Sequence, residues 1–368
     1  MRQVFGTSAE IESSLKTAGV RDVDAKALAA RAKPYVWLFT ALVDDEAEIP
    51  LGATKIGGSP DLSVTTTWPW RHPYPDHEQR VAEVQAHADD INGEDMTTVQ
   101  AQMLEELRKV LPPDQFEAAA QGFAEVDLSQ FNFDGLAEGT QRTAEPAPLA
   151  FIAQVDLAEV WRAGPVDPDI PREGRLLLFY DIDQRPGGYK PTDTTGARLI
   201  YDLTSAEGLR RVEPPSELAE LIEEATLPAQ SCVLIGAISP PFYGSPDWDA
   251  CSLREMSDET VRNWWSDITA DGHDHRIGGH PLQIQGDMQT ECALVSNGLD
   301  LGDGTAWKSK AAQRFKPDAV NWVLLMQIAS DEEADMMWGD VGNLYVWIHR
   351  DALRARRFEE ARVILQCY

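Results

Sequence analysis

The sequence has few cations. Lys and Arg together number 32, against 61 Asp and Glu, so the formal net charge is −29. A surface this negative repels phosphate backbones and anionic lipid headgroups, which argues against nucleic acid and membranes as general partners. The densest basic stretch, Arg350–Arg357, is interrupted or followed by Asp351, Glu359 and Glu360. We interpret it as a solvated helix face and not as a track for phosphates.

Cysteines are few, and long apolar runs are missing. The four cysteines are far apart in the chain and form no Cys-x-x-Cys pair: Cys232, Cys251, Cys292 and Cys367. We expect reduced thiols that mostly fill the core. No segment reaches the roughly 18 apolar residues that span a bilayer, and Met1–Gly6 leads into a polar helix without an apolar export signal. These features predict a cytoplasmic protein.

Familiar catalytic and cofactor motifs are also absent. The chain has no Gly-x-Ser-x-Gly elbow, P-loop, GxGxxG fingerprint or HExxH pair. Cys292 has no obvious histidine partner in the sequence. We therefore predict no cofactor, and no reaction follows from the residues.

What is present suffices for a large core. The 368 residues are 43% hydrophobic and 25% charged, as in ordinary folded proteins. Capping-box spacing of Thr7 and Glu10 predicts a first helix, and a second is expected from Asp22 to Ala32. Short helices are expected at 216–224, 258–267 and 289–297. Short apolar runs predict strands at 35–43 (a buried one), 151–157, 175–182, 197–203, 231–239, 322–330, 343–349 and 362–368. The mixture is typical of an α+β fold with largely antiparallel, twisted sheets.

Residues 76–125 differ from the rest of the chain. Apolar residues recur there at helical spacing among many charges: Val81, Val84, Ala88 and Ile91, then Val99, Met103, Leu107 and Val110. We interpret them as a helical insertion at about 76–140 in a β-rich core. The predicted organisation is N-terminal helices at 1–33, a first half of the core at 34–205 and a second half at 206–368.

Three segments occur twice in the same order. The pairs are Ile56–Pro60 with Ile277–Pro281, Phe151–Val155 with Leu324–Ile328, and Gly174–Phe179 with Gly342–Trp347. Their separations agree once the helical insertion is removed from the first copy. The sequence therefore predicts an internally duplicated core, with equivalent loops near one another or on related faces.

These motifs also resemble a known family. The segments at 55–62, 148–157, 275–289 and 331–353 are similar to the bacterial YwqG-like proteins, over roughly residues 34–368 without the insertion. The resemblance implies a duplicated α+β fold and a family of unknown function. It supplies no catalytic residues.

The two Ile-Gly-Gly-x-Pro loops are the most informative local feature. Lys55 precedes Gly57 and Gly58, and Arg276 precedes Gly278 and Gly279. Adjacent glycines permit backbone conformations that other residues avoid, and the loops are explained by tight turns between packed halves. Their amides, together with the preceding cation, also fit a nest for a carboxylate or phosphate.

For the other polar clusters, metal binding is the less favoured of two interpretations. His273, His275 and His280 lie near Asp271 and Asp274 with spacing that can ligate zinc, but glycines surround them and we favour a polar loop. An acidic run follows at 331–335, with a further acid, Asp340, near two glycines. We interpret the run as a solvated helix N-terminus and predict no metal.

Three polar residues stand in or near apolar segments: Gln154, Gln327 and Asp287. Buried amides must be hydrogen-bonded, so they either tie backbone together or line a pocket, and we favour the first.

Two functions stay open. The first is a binding protein that recognises a small anionic ligand or a protein or peptide partner between the halves, including an immunity-like role. Its site would combine the two glycine loops with Asp287, Gln327 and Asp340. The second is a hydrolase or transferase that uses Asp287, Asp340 or His275 for acid–base or metal chemistry in the same cleft.

Overall fold

The computed structural model describes residues 3–93, 138–222, 226–251, 253, 255–269 and 274–368. The chain divides into two compact units, a larger one of Met1–Arg71 with Ala147–Tyr368 and a smaller one of His72–Pro146. The predicted apolar positions from Val99 to Val110 lie outside the described residues.

Ten helices lie in the described ranges. Numbered along the chain, they are α1 (Ser8–Thr17), α2 (Asp22–Ala29), α3 (His77–Gly93), α4 (Leu157–Ala163), α5 (Ser216–Leu221), α6 (Pro246–Asp249), α7 (Glu255–Thr269), α8 (Met288–Ser296), α9 (Lys310–Phe315) and α10 (Arg350–Arg354). Among these described segments, none is both long and apolar enough to cross a membrane.

The first helix begins as its sequence predicts. The Thr7 side chain accepts a hydrogen bond from the Glu10 backbone N–H, and Ile11 and Leu15 are buried. The second helix ends at Ala29, earlier than expected, because the first strand already begins at Lys33.

The smaller unit contains α3. Arg80 on this helix is bound to Asp76 at 3.0 Å, and its guanidinium lies 4.3 Å from the centre of the Tyr74 ring. The Tyr74 backbone N–H donates to the Thr143 carbonyl at 2.9 Å. These contacts tie the start of the helix to the end of the unit.

Fourteen described strands belong to the larger unit. They are β1 (Lys33–Leu42), β2 (Lys55–Ile56), β3 (Asp61–Ser63), β4 (Trp70–Arg71), β5 (Ala147–Pro148), β6 (Ala150–Asp156), β7 (Arg175–Tyr180), β8 (Ala197–Asp202), β9 (Leu209–Arg211), β10 (Gln230–Ser239), β11 (His275–Gly278), β12 (Trp322–Ala329), β13 (Asn343–His349) and β14 (Arg362–Gln366).

Ten of these strands form one antiparallel sheet in the order β14-β13-β12-β11-β1-β10-β2-β6-β7-β8. The longest pairing is at the centre, where all ten residues of β1 face β10. Strand β1 also pairs with β11, and β10 also pairs with β2, so each central strand joins a neighbour distant in sequence. The fold is therefore a mixed helix and strand structure built on a large antiparallel sheet.

The sheet curls until its two ends nearly meet. The Leu365 backbone N–H, beside β14, donates to the Gly187 carbonyl in the segment between β7 and β8. The rings of Tyr201 on β8 and Phe358 lie 4.8 Å apart. The interior of this near-barrel holds the main core, with fully buried side chains from both ends such as Leu178 and Val346.

The strand at 35–43, which the sequence predicts to be buried, has only one buried face. Val36 and Leu38 point into the interior and are buried, whereas Phe39 on the outer face is 52% exposed. Alternation along a strand places successive side chains on opposite faces, so an apolar run does not guarantee that both faces are covered.

The first glycine loop gives a test of how tightly this fold is packed. Gly57 has φ +66°, and a Cβ there would lie 2.2 Å from the Pro228 carbonyl oxygen. Gly298 also has positive φ, +85°, but no atom lies within 4 Å of its Cβ position.

We expect Gly57→Ala to lower the free energy of unfolding by at least about 3 kcal/mol, the sum of backbone strain and overpacking. Gly298→Ala should cost only about 1 kcal/mol. Urea denaturation followed by circular dichroism measures both, and equal losses would contradict the packing argument.

Candidate functional site

Lys55, the cation of the first glycine loop, is fully buried in β2. Its Nζ donates to the Glu46 carboxylate at 2.9 Å and to the Ser59 carbonyl, and the Asp61 carboxylate lies 3.4 Å away. Glu46 also accepts from the Ser59 backbone N–H at 2.9 Å. Burial outweighs these carboxylates and lowers the pKa of Lys55. A carboxylate of the protein itself therefore occupies the place where the sequence predicts an external anion.

The two glycine amides of this loop are used internally. The Gly57 N–H donates to the Ile152 carbonyl at 2.9 Å, and the Gly58 N–H donates to the Leu227 carbonyl at 2.8 Å. Both donors point to backbone, which supports the tight-turn reading of the loop.

Arg276, the cation of the second loop, is also buried. Its guanidinium forms a fork with the Asp274 carboxylate and donates to the His280 carbonyl four residues along. It lies 4.5 Å from the centre of the Tyr35 ring. Like Lys55, Arg276 is therefore paired with a carboxylate of the protein itself.

Gln154 stands beside the first cation. It pairs with Lys55 in the sheet, accepts from the Asp61 N–H at 3.0 Å and donates to the Ala53 carbonyl at 2.9 Å. This buried amide ties backbone on both sides of the first loop.

Gln327 has the same surroundings at the second loop. It pairs with Arg276, accepts from the Leu282 N–H at 2.9 Å and donates to the Asp274 carbonyl at 2.9 Å. Both glutamines therefore have the backbone-tying role that the sequence favours.

The sheet keeps the two loops apart. Ile56 pairs with Gln230, which faces Leu42 of β1, whereas Ile277 pairs with Val36. Strands β2 and β11 are three strand spacings apart, about 14 Å, and Val36 and Leu42 are about 20 Å apart along β1. The loops do not meet in one cleft, so a site must be sought beside one of them.

A cavity of 220 Å³ borders the second loop. Its wall combines the start of β1, the loop after α4, the glycine loop, α8 and the ends of β12 and β13. The lining residues are Lys33, Pro34, Asp167, Pro168, Gly279, His280, Pro281, Gln289, Val320, Trp322, Val323, Leu324, Trp347 and Arg350.

Two cations line this cavity and keep spare donors. Lys33 is 46% exposed and donates to Asp247 at 2.5 Å, which leaves two of its three N–H groups without an acceptor in the described chain. Arg350 binds Asp167 and Asp169 through three N–H groups, and its Nε–H and one Nη2–H have no acceptor there.

The rest of the cavity wall is poor in acceptors. Both Asp167 oxygens already accept from Arg350. The indole N–H groups of Trp322 and Trp347 are buried and have no acceptor among the described residues. Burial chiefly lowers the pKa of His280 to about 3, so its ring is neutral, and it bonds the Arg31 carbonyl. Among the lining side chains, the spare N–H groups therefore outnumber the acceptors, of which the Gln289 amide oxygen is one.

A second cavity, of 250 Å³, lies where the sheet nearly closes. It is lined by Gly187, Tyr189, Gln285, Gly286, Asp287, Glu291, Leu301, Gly302, Trp307, Leu365 and Gln366. Asp287 is the N-cap of α8 and accepts from the backbone N–H groups of Gln289 and Thr290. Glu291 follows one turn later, and its carboxylate has no hydrogen-bond partner in the described part of the chain.

Burial raises the pKa of both acids of this second cavity. Burial, with Asp193 and Asp287 nearby, raises the pKa of Glu291 to about 8. Burial also raises the pKa of Asp287, against the hydrogen bonds it accepts from Thr290. A carboxyl group that titrates near neutrality can give or take a proton under ordinary conditions.

The other candidates are scattered. The His275 Nδ1 accepts from the Ala329 backbone N–H at 3.2 Å, inside the near-barrel. Asp340 is exposed in the segment before β13, and burial raises the pKa of the Cys292 thiol. His273 lies outside the described residues. Within the described ranges, no group of three His, Cys, Asp or Glu side chains could hold a metal ion.

The expected helix N-terminus at 331–335 is a short turn. Glu332–Ala334 form one 3₁₀ turn, and the Asp331 side chain accepts from the Glu333 backbone N–H. Asp335 then adopts φ +50° and ends it. The acids therefore cap a turn before β13.

Of the residues that line the cavities, Gly279, His280 and Asp287 were site candidates from the sequence, whereas Lys33, Arg350 and Glu291 were not. Lys33 and Arg350 stand 317 positions apart, and no local motif links them. Glu291 had a detectable signal, because it lies four residues after Asp287 and therefore on the same helix face.

Comparison with known families gives one match. A family model described as "Domain of unknown function (DUF1963)" covers residues 54–367. No curated protein matches the chain.

The buried pair at the second loop yields a stability prediction. Arg276→Met removes the guanidinium from the buried Asp274 carboxylate and should lower the free energy of unfolding by about 3–5 kcal/mol. Lys16→Met removes a surface pair with Glu12 and should leave the free energy of unfolding almost unchanged. Chemical denaturation compares the two variants. A loss for Arg276→Met as small as that for Lys16→Met would show that the fork does not hold the loop.

The second cavity yields a pH prediction. The pKa of Glu291 is about 8 when folded against an ordinary 4.5, so the folded state holds a proton that the unfolded state releases between these values. Wild-type stability should therefore fall relative to Glu291→Gln as pH rises from 4.5 to 8, by more than about 1 kcal/mol. Below pH 4.5 this pH-dependent loss should vanish. Denaturation at a series of pH values measures it, and a constant difference across the window would refute the raised pKa.

Proposed function

Because the chain belongs to the family described as domain of unknown function DUF1963, we propose its function from its geometry: it binds a small organic anion in the cavity beside the second glycine loop. The observation that carries this proposal is the excess of unused donors in that wall. Lys33 and Arg350 each keep two N–H groups, whereas the Asp167 oxygens are already engaged. A ligand rich in acceptors complements such a wall.

The shape of the ligand follows from the other lining residues. Pro34, Leu324 and Trp347 present apolar surface. A carboxylate or phosphate at the Lys33 and Arg350 side, joined to an apolar body, matches both halves of the cavity. Arg350 is held by two aspartates, so its guanidinium is oriented before a ligand arrives and little order is lost on binding.

We further infer that the core is an internal duplication of the YwqG-like type. In support, Lys55 and Arg276 each bind the carbonyl four residues along, and each pairs with a glutamine. The β6–β7 and β12–β13 pairings also shift register at corresponding positions. We place the protein in the cytoplasm on its sequence.

Acid–base catalysis is the second candidate function. The observation in its favour is the Glu291 carboxyl, whose pKa of about 8 suits a proton donor or acceptor beside Asp287 in the other cavity. A hydrolase or transferase would place its reacting group there, and not at Lys33 and Arg350.

The test of ligand binding uses matched small molecules. Benzoate and phenyl phosphate should raise the midpoint of thermal unfolding in a saturable way, because they bind only the folded state. Benzamide, which has the same ring without the charge, should bind at least about tenfold more weakly.

Variants locate the site. Lys33→Gln and Arg350→Gln should each weaken benzoate binding by about tenfold or more in calorimetry. Lys310→Gln, which removes an exposed cation from α9, is the matched control and should bind as wild type does. Equal affinity for benzoate and benzamide, or an equal effect of all three variants, would rule out this anion site.

A further inference from the structure

The outer face of the sheet is bare at its centre. Phe39 faces Val233 across the β1–β10 pair, and Trp37 faces Ile235. The fractional exposures are 52% for Phe39, 62% for Val233 and 39% for Ile235, and the Trp37 and Phe39 rings meet edge to face at 5.6 Å. We call these four side chains the outer strip. Contiguous exposed apolar surface of this kind is uncommon on a monomer and often marks an interaction site.

No charge interrupts this region. Residues 34–42 of β1 and all of β10 contain no Asp, Glu, Lys or Arg. The charged residue of this pair of strands is Lys33, at the first position of β1, where it is bound to Asp247. In a chain with 61 acidic residues, such a gap distinguishes the outer strip from the rest of the surface. The neighbouring cations are buried and paired: Lys55 with Glu46, and Arg276 with Asp274.

An acidic segment borders one end of the outer strip. Ala41 faces Ser231, which in turn faces Lys55, and Lys55 is bound by Glu46. The loop that carries Glu46 therefore lies over the outer face, directly beyond Phe39 and Val233. On this loop Asp44, Asp45 and Glu48 are exposed.

We propose that the outer strip and the acidic segment dock a segment of another protein that is apolar on one face and rich in Lys or Arg. The apolar side chains of the partner would cover Phe39 and Val233, and its cations would meet Asp44 and Glu48. This surface is separate from the anion cavity, so the proposal does not depend on the function proposed above.

Charge decides between this partner and a second copy of the chain. Two copies would each bring a formal charge of −29 and their acidic segments to one interface, and like charges there are unfavourable. A basic segment gains from the same field, which also speeds its encounter with the protein.

The test uses two synthetic peptides with the same apolar helix face. A fluorescein-labelled amphipathic peptide of Leu and Lys should bind, measured by fluorescence anisotropy, whereas a matched peptide of Leu and Glu should not. The double variant Phe39→Ser, Val233→Ser keeps the net charge and should weaken binding of the Leu–Lys peptide by at least about tenfold. Val23→Ser removes an exposed apolar side chain elsewhere and should change nothing.

A second pair of variants tests the acidic segment. Asp44→Asn with Glu48→Gln should weaken binding more than Glu332→Gln with Glu333→Gln, although each pair removes two charges. Equal binding by wild type and the Phe39 and Val233 double variant would overturn the proposal, because attraction would then be non-specific. A dimer in sedimentation velocity that this double variant dissolves would also overturn it, in favour of a second copy.

Discussion

The pairing of β1 with β10 is the interaction on which the rest of the structure depends. It joins ten residues of each strand. At its other edge, β1 pairs with β11 and β10 pairs with β2, and both of these neighbours are distant in sequence. Without it, β11–β14 would be separated from the strands β2, β6, β7 and β8 in two smaller sheets. With it, they form one sheet long enough to curl, and its interior can be filled from both ends. The glycine loops then lie where β2 and β11 leave this central pair.

This arrangement explains which parts of the fold could be read from the sequence. Local signals sufficed for the cap at Thr7, the eight longest strands and the turns at Gly57 and Gly278, because these depend on neighbouring residues. The six short strands β2, β3, β4, β5, β9 and β11 were not predicted. Gln327 stands in an apolar strand, so its side-chain amide was expected to be hydrogen-bonded. The structure shows that it is. The exchange of partners between β1 and β10 could not be predicted, because the two strands lie nearly two hundred positions apart and no local pattern specifies who pairs with whom.

The candidate site was harder to predict for the same reason. Lys55 and Arg276 stood out as cations beside glycines, but their partners decide their role. Glu46 reaches Lys55 from a different loop, and Asp274 is bound to Arg276 within a buried fork. Conversely, Lys33 and Arg350 looked unremarkable, and they matter because folding brings them to one cavity with spare donors. The type of a residue indicates which chemistry is possible. The number of its donors and acceptors already bonded within the protein decides how many remain for a ligand.

The donors and acceptors that remain free for a ligand are also the reason to favour binding over catalysis. In the cavity beside the second loop, the charged groups are fixed by Asp247, Asp167 and Asp169, and the His280 ring is neutral. A wall of fixed donors can hold an anion. Glu291, whose pKa is about 8, lines the other cavity. Proton transfer requires reach within a hydrogen bond or one water, and Glu291 is not among the residues that line the cavity of Lys33 and Arg350. The separation of donor wall and titrating acid is therefore the physical reason to treat the first cavity as a binding site.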